Sequence, residues 1–78
     1  MELPKIFADF NNTDSMRRVR LTTVGTLNDL KRMNIKLESG MEILLDDDEG
    51  LVTSGIVLFS GEENIWVAKI NWDEIKYY

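Results

Sequence analysis

The sequence predicts a mainly β domain with one short helix, built as a small, strongly bent five-stranded sheet or a partly open SH3-like barrel. Three observations predict it. Apolar and polar residues alternate over several short runs, clusters of turn-forming residues separate those runs at close spacing, and a helical period occurs once, around Leu30. A two-layer α+β sandwich with the helix on one face is the alternative arrangement of the same elements. The chain has 78 residues, room for a single domain over residues 1–78.

The first strand is expected over residues 4–10, with Ile6, Ala8 and Phe10 on one face and Lys5, Phe7 and Asp9 on the other. The polar cluster at 11–15 is turn chemistry, and a second strand over 17–23 turns Val19 and Leu21 inward, so the two strands read as a hairpin. Thr26 then stands as a helix N-cap with Asp29 three residues on, ahead of a helix over 27–33 whose Leu27, Leu30 and Met33 form the buried stripe. Asn34 suits a left-handed stop. Residues 35–45 show an extended Ile35/Leu37 pair, a Ser39-Gly40 turn and alternation at Met41, Ile43 and Leu45. Two longer strands follow at 51–60 and 64–72, with turns at 46–50 and 60–64. The tail, 73–78, reads as a helical or 3-10 turn or as a last short strand.

Composition bounds the chemistry. The chain has no cysteine, hence no disulfide or thiolate site, and no histidine, the commonest transition-metal ligand and the usual base at neutral pH. A serine nucleophile at Ser15, Ser54 or Ser60 would lack that base, and no cofactor motif is present, so the chain reads as a non-enzyme with no cofactor. The segment Met1-Glu2-Leu3-Pro4-Lys5 lacks the basic and apolar regions of a signal peptide, and no apolar run is long enough to span a membrane, so a cytoplasmic protein is expected. Asp46-Asp47-Asp48-Glu49-Gly50 offers oxygen ligands, yet the calcium-loop spacing fails, and it reads as a solvated hairpin tip.

Charge is unevenly distributed within a net −5. Residues 17–36 hold six basic residues against Asp29 alone, whereas 37–63 hold eight acidic residues and no basic one. Arg17, Arg18, Arg20 and Arg32 are therefore candidate contacts for a partner. The acidic balance weighs against nucleic acid, which needs clustered positive charge. Strands 51–60 and 64–72 are apolar on both faces. Trp66, Ala68, Ile70 and Trp72, with Leu58, Leu21 and Leu30, are expected in the core, leaving Leu51, Val57, Phe59, Ile65 and Val67 on a face that something must cover. Phe7, Tyr77 and Tyr78 are further candidates for an interfacial patch.

The stretches Phe7-Ala8-Asp9-Phe10-Asn11, Arg18-Val19-Arg20-Leu21, Gly25-Thr26-Leu27, Leu37-Glu38-Ser39-Gly40-Met41, Gly55-Ile56-Val57 and Trp66-Val67-Ala68-Lys69-Ile70-Asn71-Trp72 resemble small bacterial proteins of unknown function. The resemblance covers nearly the whole chain, implies a stand-alone bacterial domain, and transfers no activity and no site. The expected function is a protein-interaction module that pairs with another protein or with itself as a homodimer. The alternatives are a small nucleic-acid-binding barrel using the basic segment 17–36 and an accessory structural subunit of a larger assembly.

Overall fold

The structure, a computed structural model, describes residues 3–78; Met1 and Glu2 of the N-terminal segment Met1-Glu2-Leu3-Pro4-Lys5 lie outside it. Its elements are β1 (Lys5–Phe7), β2 (Val19–Arg20), α1 (Val24–Arg32), β3 (Glu42–Asp46), β4 (Leu51–Ser60), β5 (Ile65–Ile70), a 3-10 turn (Trp72–Glu74) and β6 (Lys76–Tyr77). Five strands in the order β1-β3-β4-β5-β2 form a mixed sheet curled into a half-barrel, as the alternating pattern predicts. Both readings of the tail occur: after β5 the chain forms the 3-10 turn and then pairs with β4 as β6. Among the described residues no helix is long and apolar enough to cross a membrane.

The sheet is organised by the β4–β5 hairpin. Its connection occupies residues 61–64 and ends on Asn64 at φ 58°, a left-handed position that asparagine tolerates. Ser60 therefore pairs with Ile65, and Val57 with Ala68. Side-chain period is two, so this register decides which residues face the core. Val57, Ala68, Val19, Ile43, Leu45 and Ile6 share the inner face and are almost wholly buried. Val57 is thus a core residue, contrary to the face expected for it, while Leu58 belongs to the outer face with Val67. Leu21 lies in the core with Trp66, Ile70 and Leu30 half-buried against it.

The expected N-terminal hairpin does not form. β1 pairs in parallel with β3 (Ile6 opposite Leu45), and β2 pairs with β5 at the far side of the sheet (Val19 opposite Ala68). Residues 8–18 run between the two edges, and a single Thr13–Val19 bridge is all that remains of hairpin pairing. Ala8 and Phe10 are buried on this path, so the apolar alternation that suggested a longer strand serves the core. Asp14 holds the turn: one carboxylate oxygen accepts the Met16 and Arg18 amides, the other accepts Arg18 Nε at 2.8 Å.

The helix begins earlier than the spacing suggested. Thr23, with extended backbone, is the N-cap, its Oγ1 accepting the Thr26 amide. Leu27 is half exposed rather than buried, because the inward positions are Thr26, Asp29, Leu30 and Met33. Two of those are polar for a specific reason. Phe7 points its N–H and C=O away from β3, toward the open edge of the sheet. Its N–H donates to Asp29 Oδ2 at 2.7 Å, and its C=O accepts from Thr26 Oγ1 at 2.6 Å. Gly25 allows the approach, since a Cβ there would lie 2.7 Å from the Phe7 ring. At the other end Asn34 takes φ 53°, and the amides of Asn34 and Ile35 bond the carbonyls of Lys31 and Leu30, a Schellman closure.

The Thr26 hydroxyl is fully buried, and its proton is committed to the Phe7 carbonyl. Thr26→Val keeps the shape and removes that donor, so it should lower stability by about 1–3 kcal/mol in urea denaturation, whereas Thr26→Ser should retain most of it. A loss below about 0.5 kcal/mol for the valine variant would show that the bond is not needed to dock the helix.

Candidate interaction surface

The outer face of the half-barrel is read directly from the register. Across β3, β4 and β5, Glu42, Ile56 and Lys69 stand in one row. The next row toward the hairpin turn is Leu58, Val67 and Arg20; in the other direction come Lys5, Leu44 and Ser54, then Phe7, Asp46, Val52 and Lys76. The central strand thus carries a column of Val52, Ile56 and Leu58 facing outward, broken by Ser54. Ile56 is exposed, and Val52, Leu58 and Leu44 are half-buried. Acids lie on the β3 side of that column and lysines on the β5–β6 side.

A cavity of about 670 Å³ opens beside this column, lined by Leu44, Val52, Ser54, Asp73, Ile75 and Lys76 among others. Its origin is a break in pairing. β5 stops opposite Gly55, β6 resumes opposite Val52, and five residues (71–75) bulge away where two would suffice. The Val57 amide bonds Met41 on the β3 side, so by alternation the Ser54 backbone groups point the other way, into the gap.

The candidate residues from the sequence are scattered over the molecule. Phe7 lies under Gly25 at the helix. Val67, expected on the uncovered face, is fully buried there. Phe59 is exposed at the hairpin end, packed edge-on against Trp66 with ring centroids 5.1 Å apart, and Ile65 beside it is half-buried. Tyr77 and Tyr78 sit at the opposite end of β4, where Tyr77 pairs with Leu51.

Three of the four arginines are engaged by acids. Arg18 pairs with Asp14, Arg32 with Asp29, and Arg20 grips both oxygens of Glu63 at 2.8–2.9 Å. Arg17, at φ 62°, lies 4.9 Å over the Trp72 ring, and its carbonyl accepts the indole N–H. Burial pushes the Asp14 carboxyl up, but the Arg18 amide, its guanidinium and the Met16 amide outweigh it and hold the group below its ordinary value. Asp29 is likewise lowered, with burial overcome by Arg32 and the Phe7 amide.

The acidic loop is also internally bonded. Asp46, almost fully buried, accepts the Tyr78 hydroxyl at 2.5 Å and the Asp48 amide at 2.8 Å, with Lys5 at 3.5 Å. Asp47 Oδ1 accepts the amides of Glu49 and Leu51. Ile56, Leu58, Glu42 and Lys69 were missing from the sequence-derived candidates. The signal that would have found them is the length of the 61–64 turn, which sets the register.

Compared with known proteins, the chain matches no family model, no curated protein and no solved structure.

The hydrogen bond to Asp46 pushes the Tyr78 hydroxyl up to about 12, while that hydroxyl, the Asp48 amide and Lys5 together outweigh burial and lower Asp46. A raised tyrosine contributes stability below its unfolded value, near 10, and loses it as pH rises through about 12; a lowered aspartate loses its contribution as pH falls through its folded value. Tyr78→Phe should remove a late-ionising component from the tyrosinate absorbance titration and move the Asp46 midpoint upward by NMR. A titration curve that loses only a component near pH 10 would show the bond absent in solution.

Proposed function

We propose that the chain is a non-enzymatic protein-interaction module that docks through the outer face of β4. The observation that carries this reading is the outward column of Val52, Ile56 and Leu58 on a sheet whose edges are already taken. β1 gives its free edge to Thr26 and Asp29, and β2 gives its own to Asn12 and Thr13, the Arg20 amide bonding the Asn12 carbonyl. Strand addition at an edge, a common mode of peptide capture, is therefore obstructed at both ends, and the face is what stays open. A solvated antiparallel face ordinarily shows polar residues at such positions. The arginines of segment 17–36 weigh toward a protein partner over nucleic acid, because Arg18, Arg20 and Arg32 already hold carboxylates that would repel phosphate.

The test is capture from the native lysate by the immobilised chain, with and without nuclease. Ile56→Asp should weaken retention of the bound protein by about 30-fold or more, the scale of a central hot spot, while far-UV circular dichroism is unchanged. Unchanged retention would remove the face from consideration, and capture abolished by nuclease would favour the nucleic-acid reading.

A further inference from the structure

We propose that the occupant of this face is a second copy of the chain, related to the first by a two-fold axis running along β4. The inference rests on the interaction reading above and names its partner. In the row through Ile56, Glu42 lies one strand to one side and Lys69 one strand to the other, each about 4.8 Å from the centre. Both are exposed, and among the described residues neither enters an ion pair. A two-fold axis along β4 lays the β3 side of one copy over the β5 side of the other. Glu42 then faces Lys69 of the second copy, and Lys69 faces its Glu42, while Ile56 meets Ile56. In the row through Val52, Lys76 is exposed on the β6 side, whereas Asp46 on the β3 side is buried and held by Tyr78, Asp48 and Lys5, so the charge match across the axis is carried by the row through Ile56. In the row between, Leu44 faces the gap beside Ser54, the one place where the opposite column has no strand residue.

The competing arrangement is excluded by charge. An axis lying across the strands would put each β3 column over its own copy, acid on acid and lysine on lysine, which is repulsive in both columns. The same pattern gives the dimer its character. Two outward-curved faces touch only along β4 and its immediate flanks on β3 and β5, so the contact falls short of the roughly 800 Å² per partner of a standard interface, and association is weak and concentration-dependent.

Sedimentation equilibrium at rising concentration should show the mass climbing from 9.0 kDa toward twice that value. Glu42→Lys leaves two lysines on the flanks and Lys69→Glu leaves two acids, so each variant alone should dimerise about tenfold more weakly than wild type. Mixed in equal amounts, the two should form a heterodimer at near wild-type strength, since every flank then meets its opposite. Unchanged circular dichroism would confirm that both variants fold. Wild type holding 9.0 kDa at high micromolar concentration, or a mixture as monomeric as its components, would overturn the proposal. Ile56→Asp separates the two levels. If wild type stays monomeric while that variant loses a heterologous partner, the second copy is wrong and the interaction reading stands. If wild type dimerises and Ile56→Asp dimerises equally well, the face assigned to the second copy is wrong.

Discussion

Phe7 presents its backbone N–H and C=O to the outside of the sheet, and α1 answers both, with Asp29 accepting from one and Thr26 donating to the other. Much of the architecture follows from that pair of bonds. They place a buried threonine and a partly buried aspartate on the helix face that a generic amphipathic helix would fill with leucine. They require Gly25 where the Phe7 ring approaches, and they turn Leu27 out to solvent. They also end the sheet at β1, because an edge strand whose outward groups are occupied no longer templates another strand.

The opposite edge is closed by electrostatics as much as by pairing. Arg20 reaches across β5 to both oxygens of Glu63 in the hairpin turn, and its Nη1 also reaches Asn12 at 3.3 Å. The guanidinium fork thus ties β2, the 61–64 turn and the returning 8–18 segment at one corner. Arg20 and Glu63 are both partly exposed, which makes their attraction modest and their contribution chiefly geometric. The uneven charge along the chain consequently resolves partly within one molecule, the basic segment meeting the acidic one through this contact.

What was legible in the sequence follows from which signals are local. Strand content, the single helix, Asn34 as its stop and the buried set Ile6, Ala8, Phe10, Val19 and Leu21 are written in short-range periodicity and turn chemistry. The pairing of β1 with β3 was not legible, because adjacency along the chain favours a hairpin and nothing in residues 4–23 announces a parallel partner beyond the helix. The inner and outer faces of β4 were exchanged for a related reason, while Trp66, Ala68 and Ile70 of β5 face the core as expected. Both strands are apolar on both sides, so composition cannot choose, and one residue of register exchanges Val57 for Leu58. Thr26 was recognised as a residue with a special role but given the wrong one: Thr23 caps, and Thr26 docks. The candidate surface inherits these limits, since Leu58, one of its central residues, is expected in the core from the sequence.

The strand order has a bearing on how the chain reaches this shape in time. β3, β4 and β5 are successive and joined by short turns, so they can zip together with little loss of loop entropy. β1 and β2 attach to strands far along the chain, Lys5 beside Leu44 and Val19 beside Ala68. Distant pairings of this kind slow folding. During synthesis the N-terminal third emerges first, yet β1 has no template until β3 is made and β2 has none until β5 follows. Ile6, Ala8, Phe10 and Leu21 spend that interval without a core, and Thr26 and Asp29 wait for a strand edge that exists only once β3 has taken up β1.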